Sequence, residues 1–198
     1  MEHAEVLLIG GRAGVGKTTV GWEVSAQLRA AAIAHAVIEG DFMGQIHPAP
    51  DDDPHRERIT ESNLTAVWAN FARRGCRRLI YTNTVSVLPE ATGMFERALG
   101  AGVRITRVLL TASDTTARAR LVGRELGSEL DHELAGSLRK ARMLDARAPA
   151  ETVRVATDGR LVVDIAREVV AATGWAGQPS ARDARPGNDH GPTAVEQP

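Results

Sequence analysis

Between residues 11 and 18 the chain reads Gly-Arg-Ala-Gly-Val-Gly-Lys-Thr, an uninterrupted G-x-x-x-x-G-K-[ST]. Few eight-residue patterns limit a fold as strongly. Such a loop works where a buried strand delivers the chain to a turn and a helix carries it away. The glycines let successive N–H groups curl around a phosphate, and the helix N-terminus adds its positive end. Both flanks comply. Val6-Leu7-Leu8-Ile9 is a short apolar run that stops at Gly10-Gly11, and Val20, Val24 and Leu28 recur at i, i+4, i+8 within a helical stretch from Thr18 to Ala32. Lys17 is expected to reach the β- and γ-phosphates of a nucleoside triphosphate, ATP by preference, and the Thr18 hydroxyl to ligate Mg²⁺. Gly11, Arg12, Ala13, Gly14, Val15, Gly16 and Thr19 complete the expected cradle. Of the 24 basic residues, 22 are arginine and only Lys17 and Lys140 are lysine, alongside 31 alanines. That bias resembles the drift of a GC-rich genome, so a lysine kept in the motif is more informative than any one arginine.

The rest of the chain alternates in the same way. Ala36-Val37-Ile38 reads as a second strand ending in Glu39-Gly40-Asp41, and Gln45–His55, with three prolines and Asp51-Asp52-Asp53, as a loop. Glu57–Arg74 has helical spacing, with Leu64, Val67, Trp68 and Phe71 on one face. Arg78–Tyr81 is a third strand ending in Thr82-Asn83-Thr84, and Pro89 opens a short helix over Glu90–Leu99. Val103–Leu110 is a fourth strand, after which Asp114 is placed as an N-cap or first-turn acid. A broken helical region, Thr115–Ala146, is interrupted near Gly127; a fifth strand, Thr152–Ala156, and a closing helix, Val162–Thr173, follow. Buried, non-alternating strands between helices imply an α/β protein with a five-stranded parallel sheet covered on both faces. Residues 1–175 are expected to form one domain with a short lid around 115–146. Residues 176–198, with four Pro, three Gly and no apolar periodicity, are expected to be a disordered tail.

Composition removes several function classes. The 198 residues carry a formal net charge of −1, which speaks against a protein devoted to nucleic acid or an anionic membrane. Cys76 is the only cysteine and the six histidines are scattered, so neither a disulfide framework nor a zinc site is expected. No apolar run approaches the ~20 residues that span a bilayer, and the N-terminus lacks a basic signal region. A cytoplasmic protein, monomeric or homodimeric, is expected.

The acids and arginines suggest a reaction. In a parallel sheet the ligand crevice lies beyond the strand C-termini, so Glu39 and Asp41 are expected to point toward the γ-phosphate. Asp41 is the first choice for orienting or deprotonating an attacking hydroxyl, or for sharing the metal with Thr18, and Glu39 the second. Asn83, ending the third strand, is expected on the acceptor side. No acid ends that strand, which disfavours a mechanical ATPase. Arg120 and Arg124 share a helix face and are expected to close over the nucleotide and the transferring group. Arg58, with Arg56, could grip an anionic substrate.

These residues resemble the small-molecule kinases of the P-loop superfamily, the adenylate, shikimate, gluconate and adenylylsulfate kinase group. Glu39-Gly40-Asp41 resembles the D-x-D or D-G-D after the second strand of shikimate and adenylylsulfate kinases. Arg58 lies where such enzymes often hold substrate, Thr115 to Arg124 resembles the lid entry of gluconate kinases, and Thr157-Asp158-Gly159 sits where the group shapes its adenine pocket. The resemblance implies the three-layer P-loop NTPase fold with strand order 2-3-1-4-5. It also implies an ATP- and Mg²⁺-dependent phosphotransferase acting on a small hydroxyl- or phosphate-bearing acceptor. Departures are the missing Gly-rich substrate loop after the third strand and the missing long lid, so the acceptor stays open. Antibiotic-modifying phosphotransferases and zeta-toxin-like kinases would also fit. The alternative is a nucleotide-dependent regulatory protein with slow hydrolysis.

Overall fold

The computed structural model describes residues 3–123 and 130–177. Five strands, β1 (Glu5–Gly10), β2 (Ala36–Glu39), β3 (Arg78–Thr82), β4 (Arg104–Thr111) and β5 (Val153–Ala156), form one sheet in the order β2-β3-β1-β4-β5. Every pairing is parallel. This is the expected P-loop NTPase arrangement. Ile9 of β1 pairs with Thr82 on one side and Val108 on the other, so the strand ends lie level and their loops meet along one edge. That edge is where such sheets bind ligands.

The pleat sends alternate side chains to opposite faces. Leu7 and Ile9, with Ile80, Val108, Leu110 and Val155, pack under α1 (Lys17–Ala30) and α6 (Val162–Thr173). Val6 and Leu8, with Leu79, Tyr81 and Leu109, pack under α2 (Glu57–Arg73), α3 (Thr92–Leu99) and α5 (Leu130–Arg147). All six residues of β1 are buried, and its central run Val6–Ile9, covered by helices on both faces, is continuously apolar for that reason. Between β4 and α5, α4 (Asp114–Val122) is capped by the Ser113 hydroxyl, which accepts from the Thr116 N–H. The expected break near Gly127 lies outside the described residues. Of the expected tail, Ala176 and Gly177 close a 3₁₀ turn with Trp175, and the remainder also lies outside.

Trp175 anchors the opposite edge of the sheet. Its ring is 1% exposed, and its indole N–H donates to Glu5 Oε2 at 3.0 Å. Glu5 also pairs with Arg104 at 3.1 Å and Arg78 at 3.5 Å, and the Arg78 guanidinium lies 6.0 Å from the Trp175 ring centre. Trp175→Ala should therefore lower unfolding free energy by about 3–5 kcal/mol, the usual cost of emptying an aromatic site. Trp175→Phe should recover most of that loss. Urea denaturation of the three proteins decides it; an alanine variant with the parent's midpoint would show that the anchor contributes nothing.

Candidate active site

The phosphate loop leaves β1 at the central strand's C-terminal end. Gly11, Gly14 and Gly16 all take positive φ, 142°, 82° and 100°. Gly14 has a second reason to be glycine, since a Cβ there would strike the Ala117 carbonyl oxygen and lie 3.0 Å from Leu121 Cγ, both on α4. The loop is thus pressed between α4 and the start of α1, whose first N–H groups have no intrahelical partner. Lys17 opens α1 and its Nζ donates to the Gly11 carbonyl at 2.9 Å and the Arg12 carbonyl at 3.4 Å. Thr19 is exposed on the same turn.

Two neighbouring acids separate at the end of β2. Glu39 faces the phosphate loop: its Oε2 accepts from the Thr18 hydroxyl at 3.0 Å, and its Oε1 from the Trp22 indole at 3.1 Å. Because Thr18 donates its proton to Glu39, the hydroxyl lone pairs remain available to a cation. A hydroxyl beside a carboxylate is an oxygen donor set of the kind Mg²⁺ takes. Asp41 points elsewhere. The chain turns sharply through the 3₁₀ segment Gly40–Phe42, and Asp41 Oδ1 accepts from Asn83 Nδ2 at 2.7 Å. The turn needs glycine at position 40, because a Cβ there would overlap the Tyr81 ring. Tyr81 is itself held edge-on by Phe95, ring centres 5.0 Å apart. Burial, with the nearby Asp41 charge, pushes the Tyr81 phenol well above its usual range.

Asn83 and Arg58 open onto one cavity of about 470 Å³ between α2, α3 and the end of β3. Asp52 and Asp53 of the preceding loop have local tasks. Asp53 is buried and accepts from the Ile59 N–H in the first turn of α2, and Asp52 pairs with Arg58 at 2.6 Å. Arg56 donates to the Ile46 carbonyl at 3.0 Å.

On the other flank, Arg120 joins the phosphate loop to β5. Its Nη1 donates to the Val15 carbonyl at 3.1 Å and to Thr157 Oγ1 at 3.0 Å, and its Nη2 to the Thr157 carbonyl at 3.1 Å. Asp158 accepts from the Ser113 N–H and hydroxyl; bonds from the Thr116 and Ser113 hydroxyls hold its carboxyl below the usual range. Arg12 is 6% exposed and donates to Ser137 Oγ on α5 at 2.8 Å, with Asp114 as its ion-pair partner. Ser137 in turn donates to the Ala13 carbonyl at 2.9 Å, fastening α5 to the loop. A second cleft, about 290 Å³, lies beside Arg12 between β4 and α5. Arg118 is exposed, and Arg124 lies outside the described residues.

No sequence pattern marks Ser137 or Trp22 for these roles. Ser137 meets residues 124 and 125 positions away, which no local pattern reveals. Trp22 sits on the helix face opposite to Val20, Val24 and Leu28 with no motif to mark it, yet it is half-exposed and its indole N–H donates to Glu39.

The family model of the AAA domain matches residues 6–157. No curated protein matches the chain. Among solved structures, a gluconokinase from Sinorhizobium meliloti is 18% identical, covering 88% of this chain and 94% of that one with a TM-score of 0.55. The Deinococcus radiodurans tunicamycin resistance protein is 19% identical, covering 87% and 96%, TM-score 0.59. A Mycobacterium tuberculosis APS kinase, solved with AMPPNP and APS, is 18% identical, covering 87% and 98%, TM-score 0.53. At such identities the likeness is one of fold. Among the described residues, no helix is long and apolar enough to cross a membrane. From the family match over most of its length, this chain belongs to the AAA-domain family, and it has the fold of the P-loop small-molecule kinases.

Proposed function

We propose that the chain is an ATP- and Mg²⁺-dependent phosphotransferase that moves the γ-phosphoryl group to a small acceptor. One observation carries this reading: Glu39 and Asp41, two residues apart, bond Thr18 on the phosphate loop and Asn83 on the wall of the 470 Å³ cavity. A donor end and an acceptor end are therefore joined by one short turn.

In this reading the loop amides hold the β- and γ-phosphates. Lys17 exchanges the Gly11 and Arg12 carbonyls for phosphate oxygens. Thr18 ligates Mg²⁺, with Glu39 orienting its hydroxyl and adding negative charge; Asp41 serves the acceptor and is the second candidate for the metal. The ion, when bound, supplies charge neutralisation on the phosphates. Asn83 fixes the Asp41 carboxylate, which takes up the acceptor hydroxyl proton. Arg120 keeps the loop against the Thr157-Asp158-Gly159 corner where an adenine would lie. Arg124 lies beyond the end of α4 at Val122, so the helix face expected to be shared with Arg120 is not what assigns it; its assignment to the transferring group rests on the resemblance of Thr115 to Arg124 to a kinase lid entry. Residues 1–175 then form the catalytic domain with 115–146 as its lid, and the setting is cytoplasmic.

The test is ATP consumption with Mg²⁺ across nucleoside monophosphates, sugar acids, adenylylsulfate and hydroxylated antibiotics, repeated with Asp41→Asn. One class should stimulate turnover, and Asp41→Asn should lower that stimulated rate by ~10²-fold or more while ATP still binds. Turnover indifferent to every added small molecule would favour the regulatory alternative. An unchanged rate in Asp41→Asn would remove its role.

A further inference from the structure

The cavity beyond Asn83 is lined by three carboxylates, Glu57, Glu61 and Glu90, and two guanidiniums, Arg58 and Arg97. Both guanidiniums are committed. Arg97 Nε and Nη2 donate to the two oxygens of Glu61 at 2.8 and 2.7 Å, the two-pronged geometry that gives such pairs their strength. That pairing holds the Glu61 carboxyl below its usual range. Arg58 is paired with Asp52 at 2.6 Å, and Glu90 is paired with Arg147 of α5. Glu57, exposed on the first turn of α2, belongs to none of these pairs, and Asp41 at the Asn83 end is bonded to a neutral amide. His55 and the buried Tyr81 phenol are the other titratable groups on the wall.

An anionic acceptor could bond the N–H groups that Arg97 and Arg58 do not give their carboxylates, but each guanidinium is already offset by a negative charge beside it, Glu61 on the cavity wall and Asp52 behind Arg58. Taking a guanidinium over fully would strand that carboxylate next to the anion, so the net attraction is small. A cation meets no such obstacle, because Glu57 and the outward lone pairs of the paired carboxylates can receive it unaided. Arginines of the type that suggests an anion grip are here neutralised by their neighbours.

We infer that the acceptor is a hydroxyl-bearing amine, its hydroxyl at the Asp41–Asn83 end and its ammonium group toward Glu57 and the Glu61–Arg97 pair. The inference rests on the phosphotransferase reading above. In the transfer, the acceptor oxygen bonds to the γ-phosphorus as the bond from that phosphorus to the β,γ-bridging oxygen breaks. The electron pair leaves with ADP, the hydroxyl proton passes to Asp41, and the amine is unchanged.

The experiment uses matched amine, neutral and acid forms of three skeletons, a hexose, a cyclitol and a nucleoside, with ATP, Mg²⁺ and Lys17→Ala as the blank. The amine form of the accepted skeleton should exceed its neutral and acid forms by about tenfold or more in kcat/KM. Glu57→Gln should shrink that advantage, and Glu61→Gln, by releasing Arg97, should raise the acid form. An acid or neutral form that equals the amine overturns the assignment and leaves the phosphotransferase reading standing. An amine advantage unmoved by both variants overturns the site given to the ammonium group. Absence of Lys17-dependent stimulation by every form counts against the phosphotransferase reading itself, and the amine assignment falls with it.

Discussion

Lys17→Ala is expected to leave the fold in place and to remove ATP-dependent turnover, by about 10³-fold or more. The side chain opens α1, and its ammonium group bonds two carbonyls of its own loop, at 2.9 and 3.4 Å. Those bonds hold the charge at the centre of the cradle, one side-chain movement from where phosphate oxygens would lie. Losing them should cost the folded state only about 1 kcal/mol, because alanine favours a helix and the loop is also held by Arg12 and Arg120. Transferring a phosphoryl group without that charge leaves the developing negative charge to the amides and the cation alone. ADP release under saturating ATP, set beside thermal melting of both proteins, separates chemistry from folding. A variant that melts normally and keeps more than about a tenth of the parent rate would show that Lys17 does not serve the transition state.

Much of this molecule is legible in its sequence because its strongest signals are local. Val6 to Ile9 must be a buried parallel strand, since four consecutive apolar residues supply both faces of a sheet at once. The Gly11–Thr18 loop is local in the same sense, its glycines serving backbone angles and a close approach by α4. The two acids after β2 show where locality stops. Strand alternation puts residues 39 and 41 on the same side, and Asp41 looks as well placed as Glu39 for the metal. The 3₁₀ turn at Gly40–Phe42 breaks that alternation, sending Asp41 to Asn83 and leaving Glu39 with Thr18. Gly40 carried a hint, but its reason, the Tyr81 ring packed against it, belongs to another strand.

Arg58 illustrates the complementary difficulty. Its residue type suggested an anion site, yet the charge it presents depends on Asp52, six positions earlier in a proline-rich loop whose path no periodicity describes. Ser137 is more remote still. It reaches the phosphate loop only because α5 crosses the sheet face beside it, a contact set by tertiary packing.

Glu39→Gln is the variant that separates the two acids. Glutamine keeps one oxygen for the Thr18 hydroxyl and nearly the same volume, so the turn should survive, while its amide group, a donor, gives up the bond from the solvent-exposed Trp22 indole. The larger change is the loss of one negative charge beside the hydroxyl expected to ligate the cation. Outer partners of a metal ligand commonly change metal affinity by about 10–100-fold, so the Mg²⁺ concentration giving half-maximal turnover should rise by that factor. The rate at saturating Mg²⁺ should fall less. Asp41→Asn should do the reverse, losing rate at every Mg²⁺ concentration with the half-maximal point unmoved, because its carboxylate bonds Asn83. Trp22, half-exposed with its indole on Glu39, supplies a fluorescence reading of the same event without turnover. If Asp41→Asn shifts the Mg²⁺ dependence and Glu39→Gln does not, the cation belongs to Asp41, and Glu39 serves only to hold α1 against the end of β2.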